Sequence, residues 1–196
     1  MPRTTEPMPI LIYQLKVTLN HSKPPIWRRI QVRGDTTLAR LHDILQVVMG
    51  WHDYHLHAFR VDGVEYGQPN PDLPMRSDKS VALSRIIPGE KFRFRYEYDF
   101  GDSWEHVLVV EKLLSPEPGV DYPRCIAGKR ACPPEDVGGI WSYPEFLAAI
   151  QDPLHPQHAE QLEWIGGSFD PEAFDPEKAT KRMKRGLPDW RSESWI

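Results

Sequence analysis

The sequence is short of cysteine, of net charge and of long apolar runs, and each shortage removes a class of protein. Two cysteines, Cys125 and Cys132, cannot build a disulfide framework. In a reducing compartment they fit thiols or metal ligands better than a bridge. A net charge of −4 and a pI of about 6.1 exclude nucleic-acid binding by overall charge, so any such role needs a local patch. No apolar run approaches the roughly 20 residues needed to span a bilayer. The opening MPRTTEPMPI lacks the apolar stretch of a signal peptide. The expectation is a soluble, cytoplasmic protein with no membrane partner. Familiar catalytic signatures are also missing: there is no G-x-S-x-G, H-E-x-x-H, P-loop or dinucleotide fingerprint.

What is present is aromatic and punctuated. Seven Trp, seven Tyr and seven Phe in 196 residues, 40% of them hydrophobic, give one domain enough apolar mass for a core. Twenty prolines, about twice the usual share, fall mostly in pairs or between periodic segments and predict stiff loops.

Period then separates strands from helices. Residues 10–20 (ILIYQLKVTLN) and 26–33 (IWRRIQVR) read as a hairpin. In the second arm Ile26, Arg28, Ile30 and Val32 share one face. Leu38, Leu41, Leu45 and Val48 follow helical spacing over 37–50, with Thr36 or Thr37 as cap and Gly50 as stop. Residues 55–61 and 64–66 form a second pair around Asp62-Gly63. KFRFRYEYD and WEHVLVVEKLL form a third hairpin, with FGDS at its tip and Gly101 expected to supply a positive φ. Residues 67–80 and 115–141 read as loops. Ser142-x-x-Glu145 predicts a capping box opening a helix. Three Asp-Pro pairs, at 152, 170 and 175, predict further helix starts, with short helices at about 156–165 and 176–185. The expected fold is α+β: a mixed, largely antiparallel sheet with a helix on one face, β-grasp-like, and a helical C-terminal part. Residues 1–9 are expected to be a flexible N-terminus, 10–185 a single domain and 186–196 a tail.

Several stretches together resemble one family. They are PPIWRRI (24–30), LHDILQVVMGWHDYHLHAF (41–59), YDFGDSWEH (98–106), CIAGKRACPPEDVGG (125–139) and W-x-G-x-x-FDPEAFD (164–175). The chain resembles the Ri-plasmid ORF-three-like proteins over about residues 10–180. The resemblance implies a prokaryotic protein with a hint of mobile elements. It implies no established catalytic residue, although some members carry resolvase or repressor labels.

Function must therefore be argued from side chains. At the hairpin tip, Asp99, Asp102 and His106 are groups that bind divalent metals or move protons. Strand parity does not require them to converge, and a structural turn is the favoured reading of the three. His55 and His57 share a strand face and, with His106, Cys125 and Cys132, could close a zinc site, with Glu135 and Asp136 as further acids. The six residues between the cysteines exceed the usual zinc-knuckle spacing, and burial as small apolar residues is the alternative. Trp27, Arg29, Arg33, Arg93 and Arg95 fall on non-core strand faces. They suggest either a surface for anions or single-stranded nucleic acid, or plain cross-strand ion pairs. Lys178, Lys181, Arg182, Lys184 and Arg185 read as the solvated face of a helix. The leading expectation is a non-enzymatic module that contacts protein or nucleic acid; the alternative is a zinc-binding protein with a structural or hydrolytic site.

Overall fold

Alternation builds one sheet, and the helical repeat supplies its cover. A computed structural model describes residues 10–70 and 74–186. The expected flexible N-terminus and all but the first residue of the expected tail lie outside them. The strands are β1 (Ile12–Leu19), β2 (Trp27–Arg33), β3 (His57–Val61), β4 (Val64–Gly67), β5 (Arg76–Ser77), β6 (Arg93–Tyr98), β7 (Trp104–Leu114) and β8 (Arg124–Lys129). They form an eight-stranded sheet in the order β5-β4-β3-β6-β7-β1-β2-β8, antiparallel except for the β4–β5 pair. The α+β class with a mixed, largely antiparallel sheet therefore holds.

Parity decides which side chains face the core. Leu15, Val17, Ile30, Val32, Phe94, Tyr96, Trp104 and Leu108 are buried. Helix α1 (Leu38–Met49) packs its Leu38, Leu41 and Leu45 stripe into the same cluster. Thr37 caps it by accepting from the Arg40 amide, and Gly50 ends it in the left-handed region at φ 104°. The short α2 (Leu83–Ile86) follows an isolated Thr37–Ala82 bridge.

The loop expectation for 115–141 fails at β8, which pairs antiparallel with β2. The capping box also fails. Helix α3 (Gly139–Gln151) begins three residues before Ser142, with Gly138 as cap and Pro144 inside. Asp152 and Asp170 cap no helix; α4 (His158–Trp164) has Gln157 at its cap position, and Asp170 accepts from Glu172 N in a turn. Asp175 does cap α5 (Pro176–Arg185), accepting from Glu177 N and Lys178 N. Helix α5 packs on α1 and β8. No helix among the described residues is long and apolar enough to cross a membrane.

Candidate metal centre at the hairpin tip

The β6–β7 hairpin tip meets two other segments. The positive φ expected at Gly101 falls instead on Asp99 (56°) and Ser103 (52°). Asp99 Oδ1 accepts from Gly101 N and so closes the turn. Asp102 accepts from Gly138 N, tying the tip to the Cys132–Gly139 loop. There the backbones nearly touch: a Cβ on Gly139 would lie 2.6 Å from the Asp102 carbonyl oxygen. Glycine is required at that approach.

Tyr98 binds the third segment. Its hydroxyl donates to Glu135 and accepts from Tyr54 N and His55 N. Burial, then the Glu135 hydrogen bond, pushes the phenol well above its ordinary pKa, so it stays a donor. Glu135 also accepts from His52 N and Nδ1 at 3.0 Å. These bonds place His55 Nε2 at 2.9 Å from Asp136 Oδ1 and 3.6 Å from Asp99 Oδ2. The ligand atoms of His55, Asp99 and Asp136 all lie within 4.8 Å of one another. Asp99 and Asp136 (φ 61°) both sit in the left-handed region, which aspartate tolerates better than most side chains other than glycine. The three arrive from the segment before β3, the β6–β7 tip and the loop before α3.

A second cluster, His42, Asp53 and His57, lies deeper. The His42 and His57 rings stack with centroids 3.6 Å apart and planes within 9°. Imidazole lone pairs lie in the ring plane, so these run side by side and do not converge on one ion. Hydrogen bonds occupy the rings instead. His42 Nε2 donates to Asp53, Tyr96 O–H donates to His42 Nδ1, and Gln46 donates to the Tyr96 hydroxyl. Burial keeps His42 below its ordinary pKa, consistent with that neutral arrangement. His57 Nε2 donates to Asp78. Burial alone would raise Asp78, but the His57 bond and charge outweigh it, leaving its carboxyl low. His42, Asp53 and Asp78 were not singled out by sequence. The available signal was His42 four residues after Leu38, a polar side chain on the apolar stripe of α1.

The zinc set inferred from sequence is divided among separate places. His55 and His57 do not share a site: His55 precedes β3 and faces the loops, while His57 is buried against His42. His106 is in the core, T-shaped against Trp51, with its pKa pushed down to about 4 mainly by burial. Its ring nitrogens face the Trp104 and Tyr96 carbonyls, but make no hydrogen bond of acceptable geometry. Cys125 lies on β8, where its thiol donates to Ala127 O; Cys132 is also buried. Neither cysteine belongs to an ion-sized cluster among the described residues.

The arginines are spread across one sheet. Strands β7 and β1 lie between β6 and β2, so Arg93 and Arg95 do not pair directly with Trp27, Arg29 and Arg33, although Arg29 and Arg93 share a sheet face and line one open hollow with Gln14 and Lys91. Arg29 makes a bidentate pair with Glu111, and Arg33 with Asp35. Trp27 lies beneath Lys16 and Arg29, at 5.3 and 5.2 Å. Arg93 and Arg95 are exposed. Ion pairing accounts for Arg29 and Arg33.

Three of the five stretches that carry the family resemblance meet at the tip. A family model described as plasmid pRiA4b ORF-3-like protein matches residues 11–178. The uncharacterized protein y4hQ of Sinorhizobium fredii is 42% identical over 183 residues, covering 91% of this chain and 94% of that protein. A crystal structure of a protein of unknown function, MM3350 from Methanosarcina mazei Go1, is similar with a TM-score of 0.78 and 40% identity, covering 87% of this chain and 98% of that one. With its fold, its motifs and these relatives in agreement, the chain belongs to the plasmid pRiA4b ORF-3-like family.

Proposed function

We propose that this protein binds a divalent metal through His55, Asp99 and Asp136, with zinc as the leading ion. The observation that carries the reading is the meeting of three ligand atoms from three separate segments within 4.8 Å. One imidazole and two carboxylates make a nitrogen–oxygen set suited to zinc or manganese. Three protein ligands leave at least one position for water or a ligand, which is the open arrangement of catalytic sites. Tyr98 and Glu135 act from behind, holding the backbone of His55 and the loop of Asp136. Asp136 also lines an open cleft of about 750 Å³ between α3 and α4, walled by Trp141 and Trp164. A reacting molecule could reach the ion from there, and hydrolysis by metal-bound water is the chemistry this site would support.

Cobalt titration tests the reading. The expected spectrum is a weak visible band without thiolate-to-metal charge transfer, abolished by His55→Ala. A strong near-ultraviolet thiolate band, or a spectrum unchanged in His55→Ala, would refute it.

A further inference from the structure

Arg28 is a buried cation without a carboxylate. It points inward from β2 and is 1% exposed, and no ion pair among the described residues involves it. Its Nε donates to Val48 O, and its Nη1 donates to Trp27 O and Lys129 O. The Phe174 ring lies 3.9 Å from its guanidinium carbon. Carbonyl dipoles and a ring face soften the charge but do not neutralise it. No hydrogen bond among the described residues engages Nη2. The neighbouring thiols offer no counter-charge: burial pushes Cys125 up to about 11 and Cys132 higher still.

Arg28 forms part of the wall of a cavity of about 440 Å³ between the end of α1 and α5, together with Met49, Phe174, Lys178 and Arg182. A second cavity, of about 600 Å³, shares Val47, Gly50 and Arg182 with the first and adds Arg185. Lys178, Arg182 and Arg185 stand at i, i+4 and i+7, one stripe along α5 facing this groove. The lining holds one carboxylate, Asp175, whose Oδ1 already accepts two backbone amides of α5. Four cations thus face one committed anion in a chain whose net charge is −4. The floor, Val47, Met49 and Phe174, is apolar.

We propose that the groove between α1 and α5 binds a phosphate group carried on a small organic molecule. Guanidinium and ammonium groups suit phosphate oxygens. The apolar floor suits the organic part, and the cavity sizes fall in the range of small-ligand sites. This site contains none of the proposed ligands His55, Asp99 and Asp136; His52, on the wall of its second cavity, bonds Glu135 behind that centre, so the titration is run with the metal removed and either proposal can fail without the other.

The test is calorimetric titration of the full chain in EDTA, at a fixed ionic strength of about 0.15 M, with inorganic phosphate, adenosine 5′-diphosphate and adenosine. Expected are binding of the diphosphate, weaker binding of phosphate and none of adenosine. The Lys178→Ala/Arg182→Ala double variant, changed only at exposed positions, should bind the diphosphate about tenfold or more weakly with an unchanged unfolding temperature. Absence of binding at millimolar diphosphate, equal binding of adenosine, or equal binding by the double variant would overturn the proposal. So would affinity for a single-stranded oligonucleotide that grows with its length and exceeds that for the diphosphate, because the ligand would then be nucleic acid.

Discussion

Replacing His106 with leucine should flatten the acid side of the stability curve. The imidazole is 0% exposed and packed among Trp51, Tyr96 and Trp104. Burial holds its pKa at about 4, against an ordinary 6.5. For a base with a depressed folded pKa, the unfolded chain takes up its proton first as pH falls. The folded state therefore loses stability from pH 6.5 downward, until the native imidazole protonates near 4. One pH unit is worth about 1.4 kcal/mol per proton, so the full window amounts to about 3 kcal/mol. Leucine has no proton to gain. It also removes ring nitrogens that lack a well-formed hydrogen bond, a burden of order 1–3 kcal/mol. Urea unfolding at several pH values between 7.5 and 4.5, followed by tryptophan fluorescence, reads this directly. The parent should lose about 2–3 kcal/mol more than His106→Leu across that range, with the variant at least as stable at pH 7.5. His42, also depressed by burial, contributes to both proteins and cancels in the difference. Parallel pH profiles, or a variant several kcal/mol weaker at neutral pH, would refute the reasoning.

Other substitutions probe the joints of the tip. Tyr98→Phe leaves the Glu135 carboxylate and two backbone amides without their shared partner, so thermal unfolding should report a loss of about 1–3 kcal/mol. Gly139→Ala forces a Cβ against the Asp102 carbonyl at φ 78° and should cost at least about 1–3 kcal/mol in denaturant unfolding. Asp175→Ala removes the cap of α5 and should cost about 1 kcal/mol, with loss of helical circular dichroism confined to that segment. Arg29→Ala breaks a partly exposed pair with Glu111 and should change stability by less than about 1 kcal/mol.

Much of the fold was legible because period speaks plainly where one face is buried. The Leu38, Leu41, Leu45 stripe and the Phe94, Tyr96, Tyr98 alternation each named their element and their inward face. Strand β8 was not legible. Arg-Cys-Ile-Ala-Gly-Lys alternates poorly, and its Gly128 looks like a loop residue until Phe174 is seen packed where a Cβ would be. The start of α3 was obscured by Gly138-Gly139, needed for the close approach to Asp102, and by Pro144 inside the helix. The site was half legible. Asp99, Asp136 and His55 were candidates by residue type, but their grouping depends on long-range bonds through Tyr98 and Glu135. No spacing rule encodes those bonds. The cysteines attracted attention by chemistry, whereas burial beside Arg28 gives them a packing role.

The most direct test of the central claim is metal content per chain, by mass spectrometry, on untagged protein purified in zinc. The parent should be compared with Asp99→Asn/Asp136→Asn and with Cys132→Ser. About one zinc in the parent and in Cys132→Ser, lost in the double aspartate variant, is the predicted result. No metal in the parent, or metal lost only with the cysteine, would contradict the account.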